Sequence, residues 1–235
     1  MEASYPVSTR VSPLTLSGIE QLPAHARRCV FWELDPTAAP DVQQFADPEF
    51  EKEAWLSMVL LEWGSCGQIA TIGDKAAGCA LYAPPGMVPR ALAFPTAPVS
   101  ADAILLTSMR TEPHAVDLDV GADLIRGVVA DLVRRNVRAI EAFGIRRTAE
   151  SEVSDVPHAT AALGCSDTEC MIDADFLEDM GFEVVAPHYR YPRLRLELDR
   201  DHEWKLAVEA ALDRLLEESS LTVADLTAGS AVGAH

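Results

Sequence analysis

Residues 104–135, ILLTSMRTEPHAVDLDVGADLIRGVVADLVRR, contain the pattern of a strand, a turn and a helix in one continuous run. Residues 104–109 are mainly apolar and predict a buried strand. Beyond a polar turn, apolar residues recur at helical spacing, and Arg134 and Arg135 suit the C-terminal end of a helix. The members of the apolar helical face are Leu124, Ile125, Val128, Val129, Leu132 and Val133. We therefore expect a strand–turn–helix unit at the centre of the fold.

The flanking sequence predicts further strands and helices on both sides of this unit. Upstream, the predicted elements are a short strand at 7–16, a strand or extended segment at 27–34, a helix at 48–63, and strands at 67–72 and 76–82. Residues 86–103 read as a long ordered loop. Downstream, they are a strand at 137–143, a short helix at 173–180, and a strand pair at 182–185 and 194–198. Residues 145–169 show no apolar periodicity and are expected to be a mobile excursion.

This order of elements predicts an α/β (α+β) fold with a mixed, mostly antiparallel sheet flanked by helices. Residues 1–218 are expected to form a single domain, which includes an extra amphipathic C-terminal helix at 201–218. Residues 219–235 contain little to bury and are expected to be a disordered tail.

The composition excludes several classes of partner. The formal net charge is -18, which opposes binding to nucleic acid and to anionic membrane surfaces. It is compatible with a cationic substrate, although an excess of acidic residues usually means only a well-solvated surface. The sequence contains no run of about 18 apolar residues that could span a bilayer. Its five cysteines and polar N-terminus favour reduced thiols in the cytoplasm over a disulfide framework.

Two segments resemble the GNAT superfamily of acyl-CoA-dependent N-acetyltransferases. Residues 104–132 are similar to its acetyl-CoA-binding strand, turn and helix, and residues 175–182, DFLEDMGF, are similar to its FYxxxGF helix end. Further segments resemble an actinobacterial GNAT-like subgroup, namely residues 28–34 (RCVFWEL), 62–67 (EWGSCG), 81–85 (LYAPP), 93–100 (AFPTAPVS) and 139–144 (AIEAFG). The resemblance implies acetyl transfer from acetyl-CoA to an amine of a small molecule or a protein.

The same resemblance implies a cofactor site on the central unit. Backbone groups of Met109, Arg110 and Thr111 would hold pantetheine, where the strand diverges from its neighbour. The pyrophosphate would lie at the turn and the helix start, at Val116, Val120, Gly121 and Ala122, because a helix N-terminus attracts anions. Only Gly121 fits the family's turn well, since Asp117 and Asp119 would repel phosphate. Alternatively, Asp119 and Asp123 cap the helix and fill its anion site themselves.

Two carboxylates and two tyrosines are candidates for catalysis. Glu141, in an apolar strand, would have a raised pKa that suits a general base; the alternative is an ion pair with Arg138 or Arg146. Glu33, in an apolar segment, is a second candidate on similar grounds. Leu177 occupies the position of the family's tyrosine acid, so Tyr189 or Tyr191 is a substitute, unless both belong to a surface hairpin.

The sequence predicts no metal site. Cys165 and Cys170 have loose spacing, and even with His158 a fourth ligand is missing. Cys29 and Cys66 are better read as small buried hydrophobes than as nucleophiles. The leading hypothesis is therefore an acetyltransferase that acts as a monomer or a homodimer, and the rival is a catalytically inactive GNAT-like binding or regulatory protein.

Overall fold

The computed structural model of the protein describes residues 9–35, 47–115, 119–147 and 165–198. All of the described elements belong to a compact unit that ends at Leu198. The helix predicted at 201–218 and the tail predicted at 219–235 lie outside the described residues, and they stay predictions.

A mixed sheet forms the centre of the described unit. Its eight strands are β1 (Thr9–Pro13), β2 (Gly67–Ile72), β3 (Lys75–Ala83), β4 (Ala103–Thr111), β5 (Ala139–Ile145), β6 (Ile172–Asp173), β7 (Glu183–Ala186) and β8 (Arg193–Glu197). The strand order is β1-β2-β3-β4-β5-β8-β7, and the short β6 pairs with β5. Only the β4–β5 and β5–β6 pairs are parallel, so the predicted mixed, mostly antiparallel sheet is confirmed.

Helices cover the sheet and occupy the connections between strands. The α-helices are α1 (Ala24–Arg28), α2 (Pro48–Glu62), α3 (Val120–Arg134), α4 (Asp167–Cys170) and α5 (Ala174–Asp179). Short 3-10 turns occupy Leu16–Gln21, Pro85–Met87, Pro89–Ala93 and Pro113–Ala115. Among the described residues, no helix combines the length and the apolarity that crossing a membrane requires.

Helix α2 begins and ends at residues whose chemistry accounts for its limits. The carboxylate of Asp47 accepts hydrogen bonds from the backbone N–H groups of Glu49 and Phe50, which satisfies donors of the first turn. At the other end, Gly64 has a φ of 105° and its N–H donates to the carbonyl of Val59 at 3.1 Å. A residue without a side chain adopts this left-handed conformation most easily, so the predicted helix ends where expected.

The two faces of the sheet carry different helices. A Cβ atom on Gly78 of β3 would lie 3.2 Å from the side chains of Leu124 and Val120, so β3 packs directly on α3. Successive strand residues point to opposite faces. The next residue, Cys79, accordingly faces the other side, where it lines a cavity with His25 of α1 and Lys52 of α2.

The strand or extended segment predicted at 27–34 is instead the end of α1 followed by a turn. Val30, Phe31 and Trp32 are all buried, and the Trp32 ring stacks on Phe94 with a centroid distance of 5.2 Å. An apolar run that is buried on every side shows neither helical nor strand periodicity, which is why its pattern did not reveal the turn.

The mobile excursion predicted at 145–169 is wrong at both ends. Ile145 is a buried residue of β5, Cys165 is buried, and the buried Asp167 begins α4. The Asp167 carboxylate accepts hydrogen bonds from the Tyr191 hydroxyl at 2.5 Å and from the Arg190 guanidinium at 2.9 Å. A few buried polar contacts therefore hold this segment in place without an apolar face. Residues 148–164 lie outside the described part of the chain.

Candidate functional site

Strands β4 and β5 separate after a very short parallel pairing. Residues 103–105 pair with residues 139–141, and beyond Leu105 no described strand pairs with this edge of β4. On its other edge, β4 stays paired with β3 as far as Thr111. The β3–β4 register shifts at Thr107, and such a bulge bends a strand and increases its twist. The inner edge of β4 therefore offers backbone N–H and C=O groups that no described neighbouring strand uses.

The predicted cofactor-binding residues lie beside this opening. Met109, Arg110 and Thr111 form the end of β4, and Val120, Gly121 and Ala122 form the first turn of α3. A Cβ atom on Gly121 would lie 3.7 Å from the terminal methyl group of Met109. The fold thus brings the end of β4 and the start of α3 together, whereas Val116 lies outside the described residues.

The aromatic ring of Phe176 packs against Gly121 in the first turn of α3. The same Cβ atom on Gly121 would lie 3.2 Å from this ring, which belongs to α5. Phe176 belongs to residues 175–182, which resemble the FYxxxGF motif. This helix end therefore lies against the first turn of α3.

Asp119 precedes α3 but does not cap it with its side chain. Its carboxylate makes no capping hydrogen bond, and only its backbone carbonyl accepts from Asp123 N–H, at 3.0 Å. The Asp123 carboxylate instead contacts Arg126 at 2.5 Å on the surface. The alternative in which Asp119 occupies the helix N-terminus with its own carboxylate is therefore wrong for this side chain. Asp117 lies outside the described residues.

Glu141 is a fully buried carboxylate held by two arginines of β8. It pairs with Arg193 and, at 3.1 Å, with Arg195, and it also accepts from the backbone N–H of Ser100. Burial alone would raise the pKa of Glu141, but the hydrogen bonds from Ser100, Arg193 and Arg195 outweigh it and hold the pKa below its ordinary value. The expected raised pKa is therefore wrong, and the partners are neither Arg138 nor Arg146.

Glu141 lies in the last residue pair before the two strands separate, but it is distant from the predicted cofactor residues. Its partner across the parallel pair is Leu105, and Met109 is four residues further along β4. At 3.3 Å per residue this is a separation of about 13 Å. The structure does not bring Glu141 together with the predicted cofactor residues.

Glu33 forms a buried ion pair with Lys52. The Lys52 ammonium lies 2.5 Å from the Glu33 carboxylate, and both side chains are 2% exposed. Burial raises the pKa of Glu33, and the lysine opposes that rise. Burial lowers the pKa of Lys52, but the carboxylate reverses this, and the net pKa of Lys52 is raised. At such a short distance the Glu33 carboxylate favours the protonated, charged form of Lys52.

The two tyrosines considered as acids have different surroundings. Tyr189 is 63% exposed, and its ring lies against His188. Tyr191 is completely buried, and its hydroxyl donates to Asp167. Leu177 is also completely buried within the apolar core. Neither tyrosine is among the residues that line the cavity beside β4.

A small cavity of about 20 Å³ lies on the α1–α2 side of β4. Its lining consists of His25, Ala26, Cys29, Lys52, Cys79, Ser108, Met109, Arg110, Glu169 and Cys170. Lys52 is a residue that sequence reasoning missed. It lies on the buried face of α2 with Trp55, Leu56 and Val59. These four positions have the i, i+3, i+4, i+7 spacing of a buried helix face, so a lysine among them was the sequence signal for a buried charge.

A larger open groove of about 570 Å³ lies between the Leu16–Gln21 turn, α1 and α2. Its charged lining residues are Glu20, Glu49, Glu53 and Arg27. Arg27 lies 3.8 Å from Glu49 and balances its charge, so the carboxylates of Glu20 and Glu53 give the lining a net negative charge. The groove is therefore acidic.

Cys66 behaves as the small buried hydrophobe that the sequence suggested. It is completely buried, and burial raises the pKa of its thiol to about 12. The thiolate, which is the nucleophilic form, is therefore scarce at neutral pH.

Solved acetyltransferase structures are similar to the chain over about four fifths of its length. One, described as an acetyltransferase of the GNAT family from Desulfovibrio desulfuricans, has 18% identity and a TM-score of 0.45, with 82% of this chain and 99% of that chain covered. The PaiA N-acetyltransferase of Thermoplasma acidophilum, solved with coenzyme A, has 12% identity and a TM-score of 0.47, with coverages of 81% and 99%. YncA of Salmonella typhimurium, an assigned acetyltransferase solved with acetyl-CoA, has 11% identity and a TM-score of 0.45, with coverages of 82% and 95%. No family model and no curated protein matches the sequence.

Proposed function

We propose that the protein is an acyl-CoA-dependent N-acetyltransferase with acetyl-CoA as its co-substrate. The observation that carries this proposal is the inner edge of β4, which no described strand pairs beyond Leu105 and which ends beside the first turn of α3. An extended chain with amide groups can pair with such an edge in the manner of an added strand. A phosphate group can bind the N–H groups at the start of the adjacent helix.

In this proposal, the two halves of the acetyl-CoA site have different roles. Backbone groups of Met109, Arg110 and Thr111 hold the pantetheine amides. The N–H groups of Val120, Gly121 and Ala122, with Val116 in the preceding turn, hold the pyrophosphate. Because the Asp119 side chain does not cap the helix, these N–H groups are not satisfied by that carboxylate.

Acetyl-CoA would supply a thioester, and the acceptor would supply an amine nitrogen. The acidic groove lined by Glu20, Glu49 and Glu53 suits an acceptor that arrives as an ammonium ion. Of the predicted bases, Glu33 is the one whose partner, Lys52, lines the cavity beside β4. We assign proton acceptance from the amine to this buried pair and a structural role to Glu141.

The buried leucine at position 177 does not exclude acyl transfer. A thiol of ordinary pKa, about 8.5, is a good leaving group at neutral pH even without a proton donor. A tyrosine acid would accelerate the departure of the thiolate, but the reaction does not depend on it.

The competing proposal is a GNAT-like protein that binds acetyl-CoA without turnover. Leu177 and the doubly paired Glu141 favour it, since both remove a group that proton transfer could use. Both proposals predict acetyl-CoA binding, whereas only the first predicts chemistry.

Two measurements on the full chain separate the proposals. Isothermal titration calorimetry with acetyl-CoA tests binding, and the release of free coenzyme A in the presence of a panel of primary amines tests turnover. Binding with amine-dependent thiol release supports the transferase. Binding with no thiol release for any amine supports the inactive protein, and no binding up to millimolar acetyl-CoA removes both.

A further inference from the structure

Four residues with metal-binding side chains converge at one end of the cavity beside β4. The ligand atoms of His25, Cys29, Cys165 and Cys170 all lie within 4.8 Å of one another. The Sγ atoms of Cys29 and Cys170 are 3.4 Å apart, and the Cys170 Sγ is 3.6 Å from Nε2 of His25. The three cysteines are buried and His25 is half-buried.

We propose that these four residues form a closed, structural Zn²⁺ site. Zinc in proteins binds three thiolates and one imidazole in a tetrahedron, with Zn–S distances of about 2.3 Å and Zn–N distances of about 2.0 Å. Such a tetrahedron places two sulfurs about 3.8 Å apart and a sulfur and a nitrogen about 3.5 Å apart. The two separations seen in the structure are close to these values without any rearrangement of the chain.

The ligands come from two short elements that the fold brings together. His25 and Cys29 are four residues apart and project from the end of α1 on the same side, as residues i and i+4 do. Cys170 ends α4, and Cys165 lies just before it. The Trp32 indole N–H also donates to the Cys170 carbonyl at 3.3 Å, which fixes the turn after α1 against α4.

The surroundings suit a zinc–thiolate centre, which carries one net negative charge with three thiolates. Arg90 is a buried cation within electrostatic range of Cys165, Cys170 and Cys29. Buried charges are stable in proteins when they are paired in this way.

A disulfide bond or a purely apolar cysteine cluster would leave the histidine without a role. A disulfide between Cys29 and Cys170 would need a sulfur separation of about 2.05 Å, and the two are 3.4 Å apart as free thiols. Cysteines can also serve only as small apolar residues of a core. A thiol–imidazole hydrogen bond would account for the contact of His25 with Cys170, whereas a metal ion accounts for the convergence of all four ligand atoms.

Four protein ligands leave no open position, so the metal would stabilise the structure and would not bind substrate. It would join α1 to α4 across the wall of the cavity that Ser108, Met109 and Arg110 also line. This inference does not depend on acetyl transfer. It replaces the prediction of no metal, which rested on Cys165, Cys170 and His158 alone.

The first test uses the full wild-type chain, reduced, loaded with Zn²⁺ and desalted. We expect one zinc per chain by elemental analysis, released when a mercurial reagent modifies the thiols. Co²⁺ added to the metal-free protein should give the intense thiolate-to-cobalt absorption and the visible bands of a tetrahedral site. Loss of zinc on desalting, together with a cobalt spectrum lacking the thiolate band, would overturn the proposal.

The second test compares matched cysteine variants. Cys29→Ser, Cys165→Ser and Cys170→Ser should each lower zinc retention at least tenfold, whereas Cys66→Ala, which alters a buried thiol outside the cluster, should retain one zinc per chain. If a serine variant fails to fold, the wild-type melting temperature decides: we expect a rise of several degrees when zinc is added to metal-free protein. Equal retention by all variants, or an unchanged melting temperature, contradicts the assignment.

Discussion

Replacing Glu141 by Gln should strongly destabilise the protein at neutral pH. The carboxylate is completely buried and accepts charged hydrogen bonds from Arg193 and Arg195. Glutamine keeps the shape but removes the charge, which leaves the largely buried Arg193 without its anion, whereas Arg195 keeps Asp102 and Glu197. Loss of one partner of a buried ion pair costs about 3 to 5 kcal/mol, and since glutamine can still accept hydrogen bonds we expect about 3 kcal/mol.

The difference between the two proteins should depend on pH in a defined direction. The pKa of Glu141 is lowered in the folded protein, so its stabilising effect is fully present above the unfolded-state pKa of about 4.3. As the pH falls from there through the folded-state pKa, the wild-type carboxylate becomes protonated and its advantage is lost. The wild-type and variant stabilities should therefore begin to converge as the pH falls below about 4.3.

Urea unfolding followed by circular dichroism, from pH 7 down to pH 3.5, measures this difference. The matched control is Glu197→Gln, because Glu197 also pairs with Arg195, at 2.6 Å, but its side chain is 60% exposed. An exposed pair contributes less than about 1 kcal/mol. Equal losses for the two variants, or a Glu141 difference that persists unchanged at pH 3.5, would refute the reasoning.

Two further predictions concern the helix start and the buried tyrosine. Asp119→Asn should tighten acetyl-CoA about tenfold in calorimetry, because a carboxylate about 6 Å from a phosphate repels it by roughly 3 kcal/mol before screening, and tenfold corresponds to about 1.4 kcal/mol. Asp123→Asn, which removes a carboxylate already paired with Arg126, should tighten binding less, and equal effects would contradict the placement of the phosphate. Tyr191→Phe should lower the unfolding free energy by about 1.5 to 3 kcal/mol in urea, since its hydroxyl donates to the buried Asp167, whereas Tyr189→Phe on the surface should change it by less than about 0.5 kcal/mol. A larger loss for Tyr189→Phe would contradict this.

The sequence predicted those elements that have a regular apolar period. Helices α2 and α3 and the strands β2 to β5 lie within a few residues of their expected limits. The helices bury one face, and the strands are short, mostly buried apolar runs bounded by turn residues. The turn after α1 was misread because all of residues 30–32 are buried. The segment at 165–169 was misread because Asp167, the first residue of α4, holds it through buried polar contacts, which have no sequence period.

The candidate sites were harder to predict because their partners are distant in sequence. Glu141 meets Arg193 and Arg195 only through the register of β5 with β8, which pairs Phe143 with Arg193 and Glu141 with Arg195. Cys29 meets Cys170 across 141 positions of the chain. Spacing along a sequence reveals neighbours on one element, whereas these contacts depend on how separate elements pack.

The separation of β4 from β5 also affects how the protein can associate with others. Exposed strand edges usually lie at the outside of a sheet, where they can pair with a strand of a second molecule and begin aggregation. Here the unused edge of β4 lies in the interior of the sheet order, with β5 on its far side. A strand of another copy could pair with this edge of β4 only by inserting between β4 and β5. A single extended ligand chain could bind in the opening between these two strands. The position of this edge inside the sheet therefore protects it from a strand of a second protein, and β1 and β7 are the two ends of the strand order to which another strand could add.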